Sequence, residues 1–185
     1  MLKNIELVPV TIEDYQFGFD IKKTTLGEYI EKTWGDWNEE EQLNFYKKEF
    51  VIDNCFIVKN NNINIGWLKI IETDEIVDIN QLFILPEYQN KGIGGKILND
   101  IMENGINNNK RINLQVLKCN KKAQKLYEKL GFMIDDETET HYLYKYDKNV
   151  KRYRSMGLLN GNNLSEERLL HLSKLTERWH SELKK

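Results

Sequence analysis

A chain of 185 residues is enough for one compact domain, or for one domain with a short appendage. Hydrophobic residues make up 40% and charged residues 30%, which argues against both a disordered chain and a membrane-embedded one. The 27 basic and 29 acidic side chains leave a net charge of −2, too little positive field to expect nucleic acid as a partner. No stretch approaches the roughly eighteen apolar residues of a membrane span, and the opening MLKNIELVPV is too polar for a secretion signal. Cys55 and Cys119 lie far apart and read as reduced thiols of a cytoplasmic protein. His141, His171 and His180 form no cluster, so no metal site is expected.

In chain order, residues 4–10 read as a strand. Thr11, with Asp14 three residues on, opens a helix that runs to about Thr33. Gly35 breaks it, and Asn38 with Glu41 has the spacing to cap a second helix. Two strands, Cys55 to Asn60 and Asn62 to Glu72, meet at an Asn-rich hairpin turn. Another strand runs from Ile76 to Leu85 and stops at Pro86. Ile93, Ile97, Leu98, Ile101 and Met102 recur at helical spacing, and RINLQVLK follows as a strand. Asn120 caps a short helix that ends at Gly131, and FMIDDE and THYLYKY close the sheet. This order predicts an α/β fold: a mixed sheet with helices on both faces. Two units are expected, residues 1–147 as the main domain and 148–185 as a helical extension. In the extension Leu172, Leu175, Trp179 and Leu183 share one helix face.

The segment Gln89-Asn90-Lys91-Gly92-Ile93-Gly94-Gly95 joins a strand to a helix. Glycines allow a tight turn and a close-lying ligand, and the helix N-terminus behind them favours an anion such as a pyrophosphate. The glycines alone fit equally well a turn that merely needs them. The turn is neither a Walker A loop nor a G-x-G-x-x-G dinucleotide fingerprint.

Gln89-x-x-Gly92-x-Gly94, after a strand ending LFILPEYQ, resembles the acetyl-CoA turn of the GNAT N-acetyltransferase superfamily. A second block, Asn120-x-x-Ala123-x-x-x-Tyr127-x-x-x-Gly131-Phe132, is similar to the family's in order and separation. The resemblance covers about residues 4–147. It implies a mostly antiparallel central sheet and acetyl-CoA as cosubstrate, without a metal. Gln89, Asn90, Lys91, Gly92, Ile93, Gly94, Gly95 and Lys96 would then hold the pyrophosphate. Main chain at Phe83, Ile84 and Leu85 would pair with the pantetheine where the strand splays from its neighbour, and Asn120 would touch the same arm.

The same resemblance makes Tyr127 the acid that protonates the departing thiolate; by itself the sequence equally allows a core aromatic. Counting eleven residues back from Gln89, as in histone-type members, gives Asp78 as the base, with Asp78, Asn80, Leu82 and Ile84 expected on one strand face. A solvent-facing aspartate is the alternative. Other members carry a carboxylate where this chain has Gln81, which cannot act as a base. Glu28, Glu31, Trp34, Asp36 and Trp37 fall where the family builds its acceptor wall; carboxylates beside aromatics suit a cationic amine. Cys119 reads as a small apolar filler. The extension is faintly similar to two-helix aspartyl-phosphate phosphatases of sporulation control. Of their five-residue motif only Ser173 matches outright, in Ser173-Lys174-Leu175-Thr176-Glu177. The expected activity is direct acetyl transfer to a primary amine on a cationic small molecule or a peptide. The alternative is an acetyl-CoA sensor signalling through its tail. A homodimer is left open; nucleic acid and membrane are not expected partners.

Overall fold

The structure is a computed structural model that describes residues 5–146. The extension, with the helix expected there and the Ser173–Glu177 segment, lies outside the described residues. Seven strands form one sheet: β1 (Ile5–Pro9), β2 (Cys55–Asn60), β3 (Ile63–Glu72), β4 (Ile76–Ile84), β5 (Arg111–Leu117), β6 (Phe132–Glu137) and β7 (His141–Tyr146). Their order is β1-β2-β3-β4-β5-β7-β6. Every neighbouring pair is antiparallel except β4 and β5, which are parallel and linked by a crossover helix. The described residues hold four α-helices, α1 (Tyr15–Trp34), α2 (Glu39–Glu49), α3 (Ile93–Asn107) and α4 (Lys121–Leu130).

Local chemistry fixes the joints. The Asp14 carboxylate accepts hydrogen bonds from Thr11 N at 2.9 Å and Thr11 Oγ1 at 3.0 Å. Residues Ile12–Asp14 make a 3-10 turn, so α1 starts only at Tyr15. Asn38 and Asn120 cap α2 and α4 by accepting from Glu41 N and Ala123 N. All five non-glycine residues with positive φ among those described are asparagines: Asn54, Asn61, Asn62, Asn90 and Asn109. Asn tolerates the left-handed region better than most side chains. Asn61 and Asn62 form a two-residue hairpin loop that sets the Asn60–Ile63 pairing.

The sheet buries both faces. On one side α3 and α4 pack against Val77, Ile79, Ile112, Leu114 and Tyr144, with Ile93, Ile97, Leu98 and Met102 supplied by α3. On the other side a smaller core gathers Val10, Ile21, Cys55, Ile57, Trp67 and Phe83 beneath α1. The apolar spacing read along α3 is therefore its buried stripe, with Ile101 partly buried at its margin.

Two irregularities in β4 shape everything that follows. First, Lys69 pairs with Gln81 while Ile70 pairs with Ile79, so Asn80 is an extra residue in a β-bulge. Before the bulge, the odd residues Val77 and Ile79 face α3; after it, the even residues Leu82 and Ile84 do, and Phe83 joins the core under α1. The expectation that Asp78, Asn80, Leu82 and Ile84 share one face is thus corrected. By alternation Asp78 faces the α1 side, as Gln81 and Phe83 do, whereas Leu82 and Ile84 face α3. Second, β4 and β5 pair only from Ile76–Arg111 to Ile79–Leu114. Beyond that point the strands part.

Candidate active site

The parting strands open a cleft of about 1010 Å³. Its floor is β4 from Ile79 to Ile84 and β5 from Gln115 to Leu117. Here β4 is paired with β3 on one side only, which leaves an extended backbone edge free to bond a chain-like ligand. The expected strand residues divide accordingly. Phe83 and Ile84 line the cleft, whereas the Leu85 amide is committed to Ile65 O at 2.9 Å. The Ile84 carbonyl accepts from Gln89 Nε2 at 2.7 Å, which ties the following turn to the strand.

One end of the cleft is closed by the Gly-rich turn. Gln89, Asn90, Gly92, Ile93, Gly94 and Gly95 all line it. Gly92 is the N-cap of α3 with φ +82°, in the left-handed region. It begins a run of helix-start amides with a positive dipole end, a cradle for a diphosphate. A Cβ on Gly92 would meet nothing within 4 Å, so its need for glycine is conformational. Gly92→Ala is therefore expected to lower the unfolding free energy by about 1–2 kcal/mol, read as a lower urea midpoint at unchanged slope. Lys122 of α4 donates to Gln89 Oε1 at 2.6 Å and brings a cation to the cleft rim. Lys91 lies 5.3 Å from the Tyr88 ring centroid, and Lys96 pairs with Asp100 at 2.7 Å. Neither of those two side chains lines the cleft.

Asn120, Ala123 and Tyr127 reach the cleft together from α4, as their spacing predicts. Asn120 Oδ1 is occupied as the cap at 3.0 Å from Ala123 N, which leaves the side-chain NH2 for a ligand. The Tyr127 ring is held edge-on by Phe132 and Tyr144, at centroid distances of 6.0 and 5.9 Å. Its hydroxyl makes no hydrogen bond among the described residues. Burial pushes the Tyr127 phenol up to about 12, so it keeps its proton throughout the neutral range.

Asp78 does not line the cleft. It lies within the paired stretch of β4, opposite Asn113, one residue before the strands part. Burial raises its carboxyl above the ordinary range, and a hydrogen bond with Asn80 opposes this. Gln81, three residues on, does line the cleft, with its Oε1 fixed by the Trp67 indole N–H at 3.1 Å.

The opposite wall is built by α1, α2 and the start of β7. Of the acceptor-wall residues expected from sequence, only Trp34 lies on it. Glu28 and Glu31 are on the outward side of α1, where Glu28 pairs with Lys32. The inward stripe is instead Lys22, Thr25, Leu26, Tyr29 and Ile30. Trp37 donates its indole N–H to Glu39 at 2.6 Å and packs against Phe19, outside the cleft, and Asp36 is exposed beside it. From α2 come Glu41, Phe45 and Glu49, one turn apart on one face. Lys22 stands 3.8 Å from Glu49, whereas Glu41 forms no ion pair among the described residues. His141, at the start of β7, completes the wall. The i, i+4, i+8 spacing of Glu41, Phe45 and Glu49 was a usable signal; His141 and Tyr29 carry no motif. Cys119 sits away from this chemistry, with its sulfur 3.3 Å from Thr33 Oγ1 and 3.6 Å from Tyr29 O.

The Acetyltransferase (GNAT) family model matches residues 21–132, and the chain belongs to that family. An uncharacterized N-acetyltransferase from Archaeoglobus fulgidus is 32% identical over 63 residues, 34% of this chain and 43% of that protein. A thialysine N-epsilon-acetyltransferase from Mus musculus is 31% identical over 81 residues, 43% of this chain and 48% of that protein. The matches thus span less than half the length of these curated relatives. Among solved structures, the PaiA N-acetyltransferase from Thermoplasma acidophilum, in complex with coenzyme A, superposes with a TM-score of 0.62 at 17% identity. That likeness covers 78% of this chain and 99% of the other, and it shows a shared fold.

Proposed function

We propose that this chain transfers the acetyl group of acetyl-CoA directly to a primary amine. The observation that carries this reading is the wedge between β4 and β5. An unpaired strand edge suits the amide-bearing pantetheine arm, with an amide-rich helix start at one end and a protonated phenol beside it. Binding at the edge leaves the thioester reachable from the α1–α2 side. There an amine nitrogen attacks the carbonyl carbon, the C–N bond forms and the C–S bond breaks. Tyr127 supplies the proton that the leaving thiolate takes up. Asp78, the carboxylate expected from sequence, lies behind the wedge rather than on its wall. In this reading the acetyl group passes straight from sulfur to nitrogen, with no covalent acetyl-enzyme.

The acceptor is a cationic small molecule or a peptide amine. Support comes from Glu41, a carboxylate without an ion-pair partner among the described residues, beside the exposed rings of Phe45 and Trp34. Such a wall attracts ammonium groups by charge and by their attraction to aromatic faces. Thiol release from acetyl-CoA across a panel of amines, at pH 7 and pH 8.5, tests the activity; silence in every case sinks it. Glu41→Gln is expected to raise KM for a dicationic amine about two- to fivefold, with kcat held, since one exposed charge contributes up to about 1 kcal/mol. A neutral amine should be indifferent to that change.

A further inference from the structure

We propose that His141 is the group that takes the proton from the attacking amine. The inference rests on the acetyltransferase reading above and adds to it a base on the β5–β7 side of the cleft, across from the α2 carboxylates Glu41 and Glu49. His141 opens β7 and pairs with Leu117 of β5, at the end of the sheet where β4 and β5 have parted. Tyr142, Tyr144 and Tyr146 pack with the α3–α4 core, so by alternation His141 faces the α1 side. Its ring lies 6.1 Å from that of Trp34, on the wall where an acceptor would enter. Tyr127 approaches from α4, on the other side of the wedge. A base on the acceptor side and an acid on the thiol side are what direct transfer requires.

The ring nitrogens differ. Nδ1 is 2.8 Å from Thr140 Oγ1, while Nε2 has no hydrogen-bond partner among the described residues. With Nδ1–H donating to the hydroxyl, Nε2 carries the lone pair. Burial also holds the imidazole below its ordinary pKa, so it is neutral when the amine arrives. Charged groups on the surrounding elements are engaged elsewhere. Glu28 and Lys32 of α1 bond each other, Lys118, just past the end of β5, pairs with Glu137 at 3.3 Å, and Lys121 of α4 lies by the Tyr142 ring. Glu31 and Glu139 are exposed. The alternatives are weaker on geometry: Asp78 is off the cleft wall, and Gln81 is an amide. In the balanced step, the amine N–H proton passes to Nε2 as the C–N bond forms and the C–S bond breaks. The thiolate takes the Tyr127 proton, and the imidazolium and phenolate re-equilibrate through solvent.

The test uses the full chain and the best amine from the panel. Measured at saturating amine from pH 5 to pH 9, wild-type kcat should fall on the acid side as the imidazole protonates. That limb should move with temperature as an imidazole does and a carboxylate does not. His141→Gln should lower kcat about 10²-fold and remove the acid limb, with coenzyme A affinity unchanged within twofold. Asp78→Asn should keep the limb. A His141→Gln protein with wild-type kcat and an intact limb overturns the assignment, as does a limb with carboxylate temperature dependence in the wild type. No turnover by wild type with any amine overturns the acetyltransferase reading along with it, whereas turnover surviving in His141→Gln overturns this assignment alone.

Discussion

Tyr127→Phe is expected to lower kcat by about 10²–10³-fold, the span usual for a positioned acid, or about 3–4 kcal/mol in the barrier. The substitution removes one oxygen and keeps the ring, so the edge-on contacts with Phe132 and Tyr144 survive. Coenzyme A should still bind, because the turn and the β4 edge are untouched. The pH profile gives an independent check. The folded-state pKa is raised by burial to about 12, and the acid is active while protonated. Wild-type activity should therefore show no alkaline loss from this group through pH 10, and a loss only as pH climbs toward 12. Rapid-quench turnover, paired with calorimetric titration of coenzyme A, separates the two parameters. Equal losses in both would make Tyr127 a packing residue.

Gly66→Ala should be the most damaging small substitution on the sheet. A Cβ there would lie 2.6 Å from the Phe83 carbonyl oxygen and 2.8 Å from Ile84 Cδ1. The first of these is backbone and cannot rotate away. Overpacking of this kind costs about 1–3 kcal/mol, which for a protein of this size lowers Tm by roughly 2–12 °C. Because β4 is both the strand pushed and the strand that lines the cleft, coenzyme A affinity should fall with stability. Differential scanning calorimetry with and without coenzyme A reads both. A melting point within 1 °C of wild type would show that the β3–β4 contact relaxes freely.

Much of the fold was legible because its signals are local. The stripe Ile93, Ile97, Leu98, Met102 sets α3, asparagines mark the turns, and Asn120 and Gly131 bracket α4. The two motif blocks located one side of the cleft for the same reason: each is a short run whose own backbone makes the site. The acceptor wall was harder. Whether Glu28 or Tyr29 faces inward depends on how α1 rolls on the sheet, which no spacing within α1 decides; its apolar pattern is weak, and both faces carry polar residues. The face of Asp78 was missed for a different reason. Alternation carried back from Ile84 to Asp78 passes through the Asn80 bulge, and one extra residue turns a strand over. His141 was out of reach, since its place in the cleft comes from the pairing of β7 with β5, a contact between segments distant in sequence.

Among the described residues, the backbone seam between the β1–β4 and β5–β7 halves of the sheet is short: four parallel pairs from Ile76–Arg111 to Ile79–Leu114, with Arg111 N donating to Glu75 O at 2.8 Å at their edge. The remaining cohesion across it comes mainly from side chains of α3 and α4. Such a molecule resembles two leaves on a short spine. A cosubstrate lying in the gap would act as a binding thread, adding hydrogen bonds where the chain has none of its own. Its occupancy should then tighten the opening fluctuations of both leaves at once. Amides of β4 beyond Ile79 and of β5 beyond Leu114 would slow in hydrogen exchange together, in proportion to the affinity of the ligand.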